Sequence, residues 1–540
     1  MKFDTRQHFF AQTPKVEMQR SQFARASSLK TTFNAGYLVP VFLDEVLPGD
    51  TFNLNMNAFA RLAIPLRPIM DNMYFETFFF FCPLRLLWSN SVKFFGEQLN
   101  PGDSTSYLIP TITPPTGGWV PPANWASPTN AELCGALSDY FGLPTRVNCG
   151  AHSTLWHRAY NLIFREHFRD QNLQNSPVCP MGDGPDTNTD FPLLRRGKRH
   201  DYFTSCLPWP QKGPAVSLPM TGNATVKLDL TSTAGARFVN ATTHLPFTTG
   251  TSTVSYNNTA NNAVLMNQSS VTGQIDPAGT LYADMTTVTA ATINQLREAF
   301  QIQRIYERDA RGGTRYTEIV LSHFGVVSPD ARLQRPEYLG GGSSYVNFNP
   351  IAQTSAAASQ PTPQGNLSAM ATVNVNGHGF VKSFTEHGVI LGLVNVRADM
   401  TYQNGMDRMF SRSTRFDFYW PALAHLGEQA VLNKEIYCDG SGNDANVFGY
   451  QERWGEYRYK PSKITGRMRS NDPTPLDTWH LAQKFTSLPV LNSSFIQENP
   501  PVDRIIAVTT EPHFLLDCFF DLKTARAMPV YSVPGQIDRF

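Results

Sequence analysis

The stretch Asn53-Leu-Asn-Met-Asn-Ala-Phe-Ala-Arg-Leu-Ala-Ile64 puts Leu54, Met56, Ala58, Ala60, Leu62 and Ile64 on one side and Asn53, Asn55, Asn57 and Arg61 on the other. That period of two predicts a β-strand with one buried face. The next run, Met73-Tyr-Phe-Glu-Thr-Phe-Phe-Phe-Phe-Cys82, is of strand length and apolar on both sides. It is therefore expected to be covered on both. Residues 1–48 show no sustained periodicity, and an irregular N-terminal arm is expected there, ahead of a β domain spanning 49–540.

The chain has 540 residues, 41% hydrophobic and only 16% charged. That is ample material for a large core, with a surface made largely of neutral polar groups or covered by partners. The 39 prolines and 37 glycines favour short strands joined by long loops. Glu76, Pro83 and Arg85 interrupt the most apolar region. Nothing approaches the roughly 18 clean apolar residues of a membrane span, so no membrane insertion is expected. No secretory signal is recognisable at the start. The seven cysteines form no C-x-x-C pair and are expected to be mostly reduced and structural.

Helical spacing appears at Ala131 to Phe141 and His152 to Phe168, and Thr292-Ile-Asn-Gln295 reads as a capping box opening another helix. Strand-like segments return at Arg315 to Phe324, Phe380 to Val396, Arg415 to Tyr419 and Arg504 to Phe520. Core strands so far apart in sequence imply long insertions between them, some helical. A mainly β sandwich of the jelly-roll type fits this distribution. Trp119, Trp125 and Trp209 sit on Pro-stiffened loops, either as interface anchors or packed beneath their own loops. From Thr221 to Ala290, Thr, Ser and Asn total 28, with Lys227, Asp229, Arg237, Asp276 and Asp284 the only charges. This neutral insertion, taken as 214–290, is read as an exposed projection.

Four segments together resemble the major capsid proteins of small tailless single-stranded DNA phages, the Microviridae, and within them the gokushovirus branch. They are Phe9-Phe-Ala-Gln-Thr-Pro14, Asp71 to Phe81, Gly197 to Gly213, and Phe448-Gly-Tyr-Gln-Glu-Arg-Trp-Gly-Glu-Tyr-Arg-Tyr-Lys-Pro461. The similarity continues through Ser322 to Asp330 and Met528 to Gly535. The resemblance implies an eight-stranded jelly-roll, the viral β-barrel, in a T=1 icosahedral virion shell of about sixty copies around circular single-stranded DNA. It implies an internal scaffolding protein, pilot and small basic DNA-associated proteins, a host surface receptor, and assembly in the bacterial cytoplasm. It also implies that the Thr-rich insertion is the threefold surface protrusion, where host attachment is expected.

Packaged single strands present phosphates and unstacked bases, so the coat should meet them with cations beside aromatic rings. Arg195, Arg196, Lys198, Arg199 and His200, followed by Tyr202, match that need. A solvated loop or a salt-bridge cluster between subunits would use the same residues. Lys2, Arg6, Arg20, Arg25 and Lys30 in the arm are further candidates for contacts to DNA or scaffold. At a net charge of +1 per chain, about sixty copies cannot neutralise a genome carrying one phosphate per nucleotide.

No catalytic signature is present: there is no H-E-x-x-H, G-x-S-x-G or G-x-x-x-x-G-K-[ST]. His152 and His157, five apart on a helix, diverge by about 140° and make no ready metal pair. Gly340-Gly-Gly342 reads as a turn. No enzyme, cofactor or metal is expected. The alternative is a secreted or surface β-sandwich that binds or cleaves glycans.

Overall fold

The computed structural model describes residues 19–217, 292–327, 334–355 and 364–531, and the backbone of short strands within 225–284. Ten strands build the two large sheets of the main unit. They are β1 (Ser21–Ala24), β2 (Ser27–Phe33), β3 (Val39–Val46), β4 (Thr51–Leu62), β5 (Met73–Pro83), β6 (Glu337–Tyr345), β7 (Asn347–Ala352), β8 (Leu367–Ser383), β9 (Gly388–Ala398) and β10 (Phe514–Arg526). One antiparallel sheet runs β1-β10-β4-β8-β7, with β2 also on β10; the other runs β6-β5-β9-β3.

The two sheets face each other across a phenylalanine-rich core. Phe33 meets Phe75 with ring centroids 6.3 Å apart, Phe42 meets Phe520 at 5.2 Å, and Phe79 meets Phe380 at 5.6 Å. β4 alternates as its sequence requires, with Phe52, Leu54, Met56, Ala58, Ala60 and Leu62 buried. β10 does the same through Phe514, Leu516, Cys518, Phe520 and Leu522. β5 and β9 do not alternate, because their second face is covered as well: every residue of β9 is buried. The cover is the helical insertion, where α1 (Asn130–Tyr140) and α2 (Leu155–Ile163) belong to the same core as the sheets. The Tyr160 hydroxyl donates to the Leu38 carbonyl at 2.9 Å, tying α2 to the chain entering β3.

Several expectations change. Residues 21–46 are not an irregular arm: they form β1, β2 and β3, integral to both sheets. Their partners on β10 and β9 lie hundreds of residues away, so no local periodicity announces them. No ladder joins the two sheets among the described residues, so the barrel is an open sandwich. Arg315 to Phe324 is not a strand but α4 (Tyr316–Phe324), following α3 (Ile293–Arg311). Glu318 caps α4 by accepting from the Arg315 backbone, and Gly325 closes it at φ 69°, and these ends outweigh the β-branched interior. Arg415 to Tyr419 contains a 3-10 turn, and only the Phe514 end of Arg504 to Phe520 is strand. Gly340-Gly-Gly342 lies inside β6, not in a turn; a Cβ on Gly342 would stand 2.5 Å from the His378 ring. The capping box at Thr292 is present, with Gln295 N donating to Thr292 Oγ1 at 3.2 Å.

Residues 211–308 cluster as a separate compact unit. Its described strands pair antiparallel as Thr225–Leu228 with Leu281–Asp284, Phe238–Asn240 with Gly273–Ile275, and Val254–Tyr256 with Val264–Met266. Each pair encloses the next, the order of one long interrupted hairpin. The remainder of the 214–290 insertion lies outside the described residues, as do Lys2 and Arg6.

Candidate nucleic-acid interface

The even positions of β5 point away from the inter-sheet core and into the insertion. There Phe78 and Phe80 meet Phe168 at 5.2 and 5.8 Å, and Phe80 meets Tyr338 of β6 at 5.5 Å. Glu76 is buried between Arg196 and Arg397 of β9, its Oε1 accepting from Arg397 at 2.5 Å and its Oε2 from Arg196. Burial alone would raise the Glu76 pKa, but the two guanidinium groups outweigh it and hold the carboxyl below its ordinary value.

A cleft of about 560 Å³ opens beside this cluster. It is lined by Arg169, Arg196, Lys198, Arg199, His200 and Arg397, with Phe78, Phe80, Phe168 and Tyr338 as its aromatic wall. Lys198 is buried, which lowers its pKa against the opposing pull of Glu498 and Asp201, and its ammonium sits 4.6 Å from the Phe495 ring. Arg199 is the open member, its side chain 55% exposed and 3.9 Å from Asp399. The Nε atoms of Arg169 and Arg397 are buried and have no acceptor among the described residues. Buried guanidinium donors without acceptors are costly. Beneath the loop, burial pushes the Glu498 carboxyl up to about 7, although Lys198, Arg397 and Arg196 pull it down.

Of the residues singled out in the sequence, Arg196, Lys198, Arg199 and His200 share this cleft. Arg195 does not: it stacks over Tyr37 at 4.1 Å and donates to Asn499 Oδ1 at 2.8 Å. Tyr202 is no stacking platform, being buried in a second small core with Phe203, Tyr402 and Phe448 and donating to Glu435 at 2.9 Å. In the former arm, Arg20 donates to Thr51, Arg25 pairs with Asp44 at 2.7 Å, and exposed Lys30 stands 3.6 Å from Asp517. Arg169 and Arg397 were missed. The signal for Arg397 was there: a cation in an otherwise apolar strand needs a carboxylate, and Glu76 in the phenylalanine run is the matching oddity.

Nothing in the cleft pairs a nucleophile with a base. Among the described residues no group of three His, Cys, Asp or Glu could hold a metal ion. His157 is buried against Trp119 and Phe141, and burial drives its pKa down to about 3, a structural histidine. No described helix is long and apolar enough to cross a membrane. The described cysteines are all free.

The fold is a large two-sheet β-sandwich, one sheet of which is covered by a helical insertion. Residues 11–536 match the family described as capsid protein (F protein), and the chain belongs to that phage capsid family. It is 46% identical to capsid protein VP1 of Bdellovibrio phage phiMH2K, over 99% of this chain and 98% of the relative. It is 43% identical to VP1 of Chlamydia phage 1, over 97% of each, and 34% identical to VP1 of Spiroplasma virus 4, over 99% and 98%. The chain is thus a major capsid protein of the Microviridae type, a non-enzymatic component of the virion.

Proposed function

We propose that about sixty copies form a T=1 icosahedral shell around circular single-stranded DNA, and that the cleft at Arg169, Lys198, Arg199 and Arg397 receives a backbone phosphate with its neighbouring base. The carrying observation is the pair of buried Nε donors without acceptors, set beside an aromatic wall. On this reading the basic loop acts through Arg199, while Arg196 and Arg397 are both already paired with Glu76. Changing Arg169 and Arg199 to Gln is expected to leave shells intact and lower the DNA per particle. In oligonucleotide titrations of dissociated subunits, the slope of log K against log salt is expected to fall by about 1.4, two contacts at about 0.7 each. An unchanged slope and DNA content would sink the assignment.

In this reading the two sheets are the halves of an eight-stranded jelly-roll extended at their edges. The net charge of +1 leaves most phosphates to small basic proteins and counter-ions, with a scaffolding protein inside during assembly. Lys2 and Arg6 are candidates for contacts with either. The 214–290 insertion serves as a threefold protrusion that meets a host receptor, supported by its neutral hydroxyl-rich sequence and nested strand pairing. Neutral donors and acceptors bind polar surfaces without the salt sensitivity of a charged patch. Replacing 214–290 with a short Gly-Ser linker is expected to reduce adsorption to host cells more than shell yield; equal adsorption by purified deletion particles would refute the attachment role.

A further inference from the structure

Residues 408–426, expected as strand in part, instead form consecutive 3-10 turns at Arg408–Ser411, Arg415–Asp417 and Pro421–Leu423. Along them Met409, Phe410, Phe416, Phe418, Trp420 and Leu426 stand 44–70% exposed. Soluble monomers seldom expose so concentrated an apolar group.

The segment is fixed in place. The Asp417 carboxylate accepts from the backbone of Ser413 and Thr414 at 2.9 and 2.7 Å, and Trp420 Nε1 donates to the Arg415 carbonyl at 2.9 Å. Arg412 lies over the rings of Phe418 and Tyr457 at 5.2 and 4.6 Å, and Tyr419 packs edge-on against Trp454 at 5.7 Å. Several of the neighbouring cations are paired with carboxylates, while Arg415 and Arg453 lie over the rings of Trp420 and Trp454. Arg408 pairs with Glu435 at 3.1 Å, Arg412 with Glu456 at 3.4 Å, Arg458 with Glu452, and Lys463 with Asp407.

We propose that this face is a subunit contact whose occupant is a second copy of the chain. A capsid subunit must bury apolar surface against its neighbours, and the family makes other copies the abundant partner. Exposed Trp, Phe, Met and stacked Arg are the groups that carry binding at interface centres. Because the turns are already pinned, little ordering entropy opposes the contact. Four of the neighbouring cations already have carboxylate partners, which weakens their attraction to phosphate.

The test places the photo-crosslinking residue p-benzoyl-phenylalanine at Phe416 of the full chain and irradiates assembled particles. Crosslinks from one 60.3 kDa chain to another are expected. Adducts confined to DNA or to the same chain, including residues 1–18, would overturn the proposal, as would no adduct at all. Separately, Phe410→Ser combined with Phe416→Ser is expected to leave the thermal midpoint of the isolated subunit nearly unchanged and lower particle yield about tenfold. Full particle yield, with or without lost DNA or adsorption, would overturn the proposal. If the double variant fails to fold, the crosslink decides alone.

Discussion

Glu76→Ala is expected to destabilise the subunit by about 3–5 kcal/mol in denaturant titrations, because it leaves the guanidinium groups of Arg196 and Arg397 buried without their carboxylate. Glu76→Gln should fall between, keeping volume and one acceptor but not the charge. The pair also sets an acid limit. Since the folded pKa of Glu76 lies below its unfolded value, its contribution is fully present above the unfolded pKa and is lost as pH falls through the folded one. Glu498 behaves oppositely: with a folded pKa raised to about 7, its protonation favours the folded state as pH drops from 7 toward its ordinary value of 4.5. The loss of stability in strong acid should therefore be shallower in Glu76→Gln than in the parent. A profile for Glu76→Gln that parallels the parent throughout would show that the pair does not govern it.

Phe79→Ala is expected to cost about 3–5 kcal/mol, since Phe79 is fully buried between sheets against Phe42 and Phe380. Its ring also dictates a glycine. A Cβ on Gly392 of β9 would lie 2.8 Å from both Phe79 Cε1 and Phe42 Cβ, so Gly392→Ala should be destabilising by about 1–3 kcal/mol. In the Phe79→Ala background the clash with the ring is removed while that with Phe42 Cβ stays, so the cost of Gly392→Ala should fall without vanishing. Additive losses in this double-mutant cycle would contradict the packing described here.

How far the sequence revealed the molecule depended on whether a residue's partner lies nearby in the chain. β4 and β5 were readable because alternation and all-round apolarity are local consequences of one-sided and two-sided burial. β2 was not, since Ser27-Ser-Leu-Lys-Thr-Thr-Phe33 acquires its strand only by pairing with residues 514–520. The cleft was half visible. The basic loop showed itself by charge density, but the burial of Tyr202 and the arrival of Arg169 and Arg397 depend on tertiary packing. The run Arg415 to Tyr419 read as a strand because β propensity describes half-buried pleated surfaces, and here the rings are held by turns.

The position of β10 between β4 on one side and β1 and β2 on the other has a consequence for manufacture. β10 leaves the ribosome after every other strand of both sheets, yet it alone fastens the first two strands to the sandwich. A nascent chain holding residues 19–500 therefore presents β4 with an open edge and two unattached segments. A product truncated before residue 514 lacks the closing strand, and β1 and β2 then have no partner in the sheet.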